Sequence, residues 1–138
     1  MTSKVVNAPP PKEPDDPAEA EFQKETQRRV DHLRQSTFMF LSYASEHGDK
    51  SPDTWEQVAS QIPAAERGSF LDFETNNFEI VYHGEMGTAE SGGKILFRER
   101  QARLSPNGQW VKTYGLASGE TETLSEPDGN FATWESQH

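Results

Sequence analysis

The chain has 138 residues, a net charge of −10 and hydrophobic residues at 32% of its positions. This length fits one domain with a modest core, and the charge argues against nucleic acid or an anionic membrane as a partner, because phosphate binding needs a positive field. Cysteine is absent from the sequence, which excludes disulfides and thiolate metal sites.

No apolar run in the sequence reaches the roughly 20 residues of a membrane-spanning helix, and no signal-peptide pattern is present. We therefore expect no membrane insertion and a cytoplasmic location, or a periplasmic or envelope location if an N-terminal anchor has been removed. The first 16 residues are expected to form a disordered leader, because five of the nine prolines fall between Pro9 and Pro17. A docking site for a proline-reading domain is the alternative.

Residues 17–138 are expected to form one domain that begins with a long helix over 17–47. Asp16 can cap its N-terminus, Pro17 suits the first helical position, and Gly48 can take the left-handed conformation after its end. Large apolar residues become frequent only from Val30 onward; before it, only Phe22 is large and apolar. We therefore expect the second half to pack on a core and the first half to project or find a partner.

A connecting segment over 48–76 follows, with a short helix that begins after Pro52 and stops at Pro63. The expected inner face of this helix comprises Trp55, Val58, Ala59 and Ile62. Residues 64–75 are interpreted as an irregular connection.

Residues 77–138 favour strands that end in a short helix. Period-two patterns and turn residues predict four strands, over 78–82, 94–100, 110–116 and 121–124. Their connections are too short for parallel crossovers, so an antiparallel meander is expected. A turn over 127–130 precedes a last helix that should bury Phe131 and Trp134. The predicted fold class is α+β, with the long helix packed on a meander of about four strands.

In this order the elements resemble a bacterial pseudopilin headgroup, the globular part of type II secretion and type IV pilin-like subunits. Two stretches carry the resemblance, and it covers about residues 28–138. The first is the helix-to-loop passage over 31–58, in which the matching residues are Leu33, Arg34, Gln35, Tyr43, Ala44, Gly48 and Pro52. The second comprises residues 77–82 and 97–138. It is similar to a subgroup also found appended to sigma-factor-like proteins, through the segments at 98–101, 110–115, 130–131, 134–135 and 137–138.

The resemblance implies a non-catalytic interaction or assembly module that associates with itself or with a protein partner. A detached regulatory or sensory domain, related to the sigma-factor-appended copies and binding a partner or small ligand, is the alternative. Two departures limit what carries over. A charged helix and a proline-rich leader stand where the family has its prepilin segment and apolar helix. The hairpin over 118–120 reads Ser-Gly-Glu, where the subgroup often has Asp-Gly-His.

The resemblance also implies a possible calcium site, because secretion-type pseudopilins often hold calcium in a C-terminal loop. Glu126, Asp128 and Asn130 lie at alternate positions around Gly129 and offer oxygen ligands. Asp128 acting as the N-cap of the last helix explains the same residues without a metal. No other cofactor is expected.

Charge pattern indicates two contact surfaces for a partner. The basic residues of the second strand region, Lys94, Arg98, Arg100 and Arg103, could pair with the acidic start of the long helix within one molecule or between two. As partner-binding candidates we name Glu19, Glu21, Phe22, Glu25, Arg98 and Arg100. A solvated strand face is the alternative explanation for the basic residues.

Catalysis is not expected. The four histidines form no short-spaced ligand pair. His83 with Glu85 could support acid–base chemistry in a cleft, although a surface turn explains both residues. Ser118 beside Gly119 lacks the sequence context of a nucleophile turn.

Overall fold

The computed structural model describes residues 16–86 and 94–138. Its helices are α1 (Pro17–Glu46), α2 (Trp55–Ala59), α3 (Ala64–Asn77) and α4 (Ala132–Ser136). Its strands are β1 (Phe78–Ile80), β2 (Ile95–Glu99), β3 (Arg103–Leu104), β4 (Trp110–Leu116) and β5 (Thr121–Glu126). A long N-terminal helix, short helices and an antiparallel sheet therefore confirm the predicted α+β class. The expected leader lies almost wholly outside the described residues.

The caps of α1 follow the sequence signals. The Asp16 carboxylate accepts a hydrogen bond from the Ala18 N–H at 3.0 Å, and Pro17 stands at the first helical position. After the C-cap residue His47, Gly48 has φ +69°, the left-handed conformation that ends many helices. Within the described residues, no helix is both long enough and apolar enough to cross a membrane.

The sheet is built around β4, which is hydrogen-bonded on both of its edges. On one edge its C-terminal half pairs with β2 and its N-terminal half with β3, while β5 runs along the other edge. β1 pairs with β2, and all pairings are antiparallel. Gly119, at φ +95°, forms the tight turn between β4 and β5 that the sequence predicted.

Helices cover both faces of the sheet. On one face, α1 packs on β4 and β2, with Phe40 edge-on to Phe97 at a ring distance of 5.0 Å, and α2 adds Trp55 against the same ring. On the other face, α4 places Trp134 against Tyr114 at 4.5 Å. Phe131 is buried and Trp134 is half-buried, as predicted.

The expectation of an irregular connection over 64–75 is wrong, because α3 spans Ala64–Asn77. Its inward positions recur at helical spacing, and they are Phe70, Leu71, Phe73, Glu74 and Asn77. Two of the five are polar, and Glu74 is fully buried. An interpretation that counts only apolar residues finds three of these five positions, too few to indicate a helix of this length.

The first half of α1 does not project, contrary to the sequence expectation. The Arg103 guanidinium lies 4.5 Å from the centre of the Phe22 ring, and it donates a 2.6 Å hydrogen bond to the Thr26 hydroxyl. One turn later, Arg29 donates to Glu99 of β2 at 2.7 Å. Polar and cation–π contacts hold this half against the sheet. A prediction based on apolar residues alone could not find them.

Candidate functional site

A groove runs between the first half of α1 and the end of the sheet where β3, β4 and β5 meet. Its volume is about 270 Å³. The lining residues are Glu19, Phe22, Gln23, Thr26 and Gln27 of α1, with Ser105, Asn107, Gln109, Val111, Thr123 and Ser125 of the sheet and its turn. Glu19 is the one charged residue among them, so the walls consist mainly of neutral amides and hydroxyls.

Regular structure places both walls. On α1, Glu19, Gln23 and Gln27 recur every four residues and so share one face of the helix. On β5, Thr123 and Ser125 alternate with Leu124, which packs on the opposite face beneath α4, and therefore face the same side of the sheet. β5 pairs with β4 alone among the described strands, which makes it an edge strand beside the groove.

The turn between β3 and β4 holds the polar rim of the groove in one arrangement. The Ser105 N–H donates to the Gln109 carbonyl oxygen at 2.7 Å, and the Gln109 N–H donates to the Ser105 hydroxyl at 3.1 Å. The Ser125 hydroxyl donates to Gln109 Oε1 at 3.3 Å, joining the turn to β5. These bonds fix the rim before any ligand arrives, which lowers the ordering cost of binding.

The groove offers mainly neutral hydrogen-bonding groups to a ligand. Amide groups donate and accept hydrogen bonds, and hydroxyls do the same. Such walls match the alternating N–H and C=O groups of an extended main chain. Glu19 at one end offers a carboxylate to a basic group.

Two of the predicted partner-binding residues, Glu19 and Phe22, line this groove. Two others are engaged along α1 itself: Glu21 lies 3.8 Å from Lys24, and Glu25 accepts from Arg28 and Arg29. Burial alone would raise the pKa of Glu25, but the hydrogen bonds and charges of the two arginines outweigh it and lower that pKa.

Arg98 lies away from the groove, at the contact between β2 and α4. Its guanidinium donates to Glu79 at 2.9 Å and to Glu135 at 3.0 Å. The prediction that Arg98 could pair with the acidic start of α1 is therefore wrong within the molecule, because Arg98 pairs with Glu79 and Glu135 instead. Arg100 is exposed and donates from Nε to the Thr75 carbonyl oxygen at 2.8 Å. Of the basic residues, Arg103 is the one that reaches the first half of α1.

Glu135 is the centre of a polar cluster beneath α4. It also accepts from Lys112 at 2.8 Å and from the Tyr114 hydroxyl at 2.6 Å. Burial would raise the pKa of Glu135, but these hydrogen bonds and the charges of Lys112 and Arg98 outweigh it, so the pKa is lowered. Burial and the bond to Glu135 raise the pKa of Tyr114.

The proposed calcium ligands lie in the turn between β5 and α4. Asp128 Oδ1 accepts from the Asn130 N–H at 3.0 Å, and Asn130 Oδ1 accepts from the Ala132 N–H at 3.0 Å. Asp128 is therefore not the helix N-cap, since Asn130 supplies the bond to the first helical N–H. Across the described residues, no group of three or more histidine, aspartate or glutamate side chains could hold a metal ion. Calcium binding stays a prediction.

The candidate catalytic residues have other partners. His83 Nδ1 lies 3.2 Å from the Asp53 carboxylate, and both side chains are exposed. The Glu85 carbonyl oxygen accepts from the Tyr82 hydroxyl at 2.7 Å. Ser118 stands in the β4–β5 turn, where its hydroxyl accepts from the Glu120 N–H at 3.4 Å.

The sequence did not predict a buried polar cluster between α1 and α3. Glu74 is fully buried and bonds to the Ser36 hydroxyl and, at 2.9 Å, to His32 Nδ1. His32 stacks on Phe73 at 3.9 Å.

The sequence also did not predict the groove residues Gln23, Gln109 and Thr123. The recurrence of polar residues every four positions over 19–27, and the hydroxyl alternation over 121–125, were the signals that could have found them.

Comparison with known proteins adds no assignment: no protein-family model, no curated protein and no solved structure matches the chain.

Proposed function

We propose that the chain is a non-catalytic interaction module, and that the groove between α1 and β5 binds an extended segment of a protein partner. The observation that carries this proposal is the wall composition of the groove. It combines neutral hydrogen-bonding side chains, an adjacent edge strand and two of the residues that the sequence marked for partner contact.

A peptide fits this groove better than a saccharide does. Sugars commonly stack on aromatic faces, and Phe22, the one aromatic residue of the groove lining, has one face taken by the Arg103 guanidinium at 4.5 Å. An extended peptide needs alternating donors and acceptors, which the amides and hydroxyls supply, and it can add main-chain bonds along an edge strand. The resemblance to pseudopilin headgroups, which act in assemblies, also supports an interaction role.

The test fills the groove with a bulky side chain and leaves Arg103 and the β3–β4 turn unchanged. Gln23 is an exposed groove residue, so Gln23→Trp places an indole ring between the walls. Lys24→Trp is the matched control, because the Lys24 side chain is 78% exposed and does not line the groove. Both variants and the native chain are used to screen a library of random peptides, and their molar masses are measured by light scattering over a range of concentrations.

We expect peptides that bind the native chain and Lys24→Trp but not Gln23→Trp. Self-association that Gln23→Trp alone abolishes would also support the proposal, with a second copy as the partner. The proposal fails if selected peptides bind all three proteins equally. It also fails if no peptide is selected and the mass stays monomeric at every concentration.

A further inference from the structure

A second cavity lies on the other side of Arg103, between α1, the end of α3 and the turn after β2. Its volume is about 290 Å³, and its lining residues are Arg29, Asn76, Asn77, Arg100, Gln101, Ala102 and Arg103. All of the charged lining residues are arginines. In a chain with 23 acidic and 13 basic residues, a cavity lined by arginines and carboxamides and by no acidic side chain is a strong local departure from the overall charge.

Two of the three arginines are held by a buried acid. Glu99 has no exposed surface, and it accepts from Arg29 at 2.7 Å and from Arg103 at 3.1 Å. The Thr113 N–H donates to its other oxygen at 2.8 Å. Arg29 also pairs with Glu25 at 2.9 Å. These carboxylates keep the two arginines in place, and their negative charge balances that of the pair.

Arg100 is placed differently. Its backbone N–H donates to the Asn77 carbonyl oxygen at 2.9 Å and its Nε donates to the Thr75 carbonyl oxygen at 2.8 Å, so neutral groups orient the side chain. Among the described residues, no carboxylate lies within ion-pair distance of Arg100. Within the described part of the chain, the positive charge of this guanidinium is therefore uncompensated at the rim of the cavity.

We propose that this cavity is a binding site for a small oxyanion of the carboxylate or phosphate class. The Arg100 guanidinium would supply the paired N–H donors that fit two oxygens of one such group. The Asn76 and Gln101 carboxamides line the same cavity and can donate further hydrogen bonds. The site does not depend on the peptide groove, which lies on the opposite side of Arg103.

The net charge of −10 favours a small anion over a polyanion. Charges separated by more than about 8–10 Å are largely screened at physiological salt. A single carboxylate or phosphate group inside the cavity therefore interacts mainly with the arginines around it. A nucleic acid would extend over the acidic surface beyond the cavity and be repelled there.

The test compares anions on three variants by thermal unfolding and by calorimetric titration. Citrate and inorganic phosphate are the probes, with chloride added to equalise ionic strength and therefore screening. Strongly hydrated anions stabilise many proteins without a site, so each rise in Tm is compared with that of the variants under the same conditions. Arg100→Gln removes the uncompensated charge, and the nearly isosteric Asn76→Asp places a carboxylate in the cavity. Arg34→Gln is the control, since Arg34 is 63% exposed and does not line this cavity.

We expect saturable binding of at least one probe to the native chain and to Arg34→Gln, with a rise in Tm that follows the occupancy of the site. Arg100→Gln and Asn76→Asp should each weaken the affinity by about tenfold or more, the effect expected for loss of a charge-assisted hydrogen bond. Preference for citrate or for phosphate identifies which oxyanion class the cavity takes. Both variants should keep the Gln23-dependent peptide binding, so that this result is separable from the function proposed above.

The proposal is overturned if no probe binds saturably. It is also overturned if Arg100→Gln and Asn76→Asp bind as tightly as the native chain, or if Arg34→Gln loses affinity to the same degree.

Discussion

Glu135 shows how single side chains stabilise this fold, since it joins α4 to two strands. It accepts hydrogen bonds from Arg98 of β2 and from Lys112 and Tyr114 of β4. Because its pKa is lowered in the folded state, the ionised carboxylate favours folding. This contribution is present above the unfolded-state pKa of about 4.3 and is lost as the pH falls through the lower, folded-state pKa.

Glu135→Gln tests that linkage. At neutral pH the variant should unfold at lower urea than the native chain, because Arg98 and Lys112 lose their shared carboxylate. The difference in the free energy of unfolding should shrink as the pH falls below about 4. Urea unfolding of both proteins at neutral and acid pH measures it. A difference that stays constant across this range would show that ionisation of Glu135 does not stabilise the fold.

Among the secondary-structure elements, α3 is the helix that the sequence did not predict. Gly68 lowers the helix propensity in its interior, and Glu74 occupies a core-facing position. A buried carboxylate becomes tolerable only when the fold brings Ser36 and His32 to it. Those partners lie about forty positions earlier in the chain, so no local sequence pattern around Glu74 predicts them.

The glycines of α3 and β4 give opposite predictions for the same change. A Cβ at Gly68 would meet no atom within 4 Å, so Gly68→Ala should stabilise the protein by about 0.5–1 kcal/mol. A Cβ at Gly115 would lie 3.0 Å from Phe97 Cδ2 and 3.1 Å from Thr37 Oγ1. Gly115→Ala should therefore destabilise it, because α1 and Phe97 would have to move.

Thermal or urea unfolding of the two alanine variants checks both directions. Equal shifts of the same sign would mean that backbone entropy alone decides the effect and that α1 does not pack closely over β4.

The two phenylalanines of α1 give another matched pair. Phe22 carries the Arg103 contact, whereas Phe38 is 71% exposed on the same helix. Phe22→Ala should speed amide hydrogen exchange over residues 17–26, because little else apolar holds that half down. Exchange over residues 33–44 should change far less, since Leu33 and Phe40 stay buried.

Phe38→Ala serves as the control and should leave both segments near their native rates. If Phe22→Ala also leaves residues 17–26 unchanged, the aromatic contact does not anchor the first half of α1.

At the scale of the whole molecule, the sequence predicted the fold class, the caps of α1 and the β4–β5 turn, because each rests on local chemistry. It did not predict the groove or the arginine cavity. Both lie between α1 and the sheet, where Arg103 contacts Phe22 and Glu99 contacts Arg29, and the residues of each pair lie far apart in the chain. Glu19 was named as a candidate because the helix start is acidic, and Phe22 because it is the one large apolar residue there. Gln23 and Thr123 come together only when the two walls of the groove face each other.

The burial of Glu99 also bears on the order in which the chain folds. Its bond to Arg29 joins residues seventy positions apart, so forming it closes a long loop and costs much chain entropy. The β4–β5 hairpin, by contrast, closes through the tight turn at Gly119 and needs no distant partner. We therefore expect the hairpin to form before the transition state and the Arg29–Glu99 contact to form after it.

In stopped-flow measurements, Glu99→Gln should mainly accelerate unfolding, and its stability loss of about 3 kcal/mol should appear in that rate. Gly119→Ala, which strains the turn at φ +95°, should instead slow folding. A Glu99→Gln variant that folds slowly but unfolds at the native rate would reverse this order. In the expected case, the long helix docks last, so the Arg29–Glu99 contact, which holds α1 on the sheet beside the arginine cavity, also sets how long the native state persists.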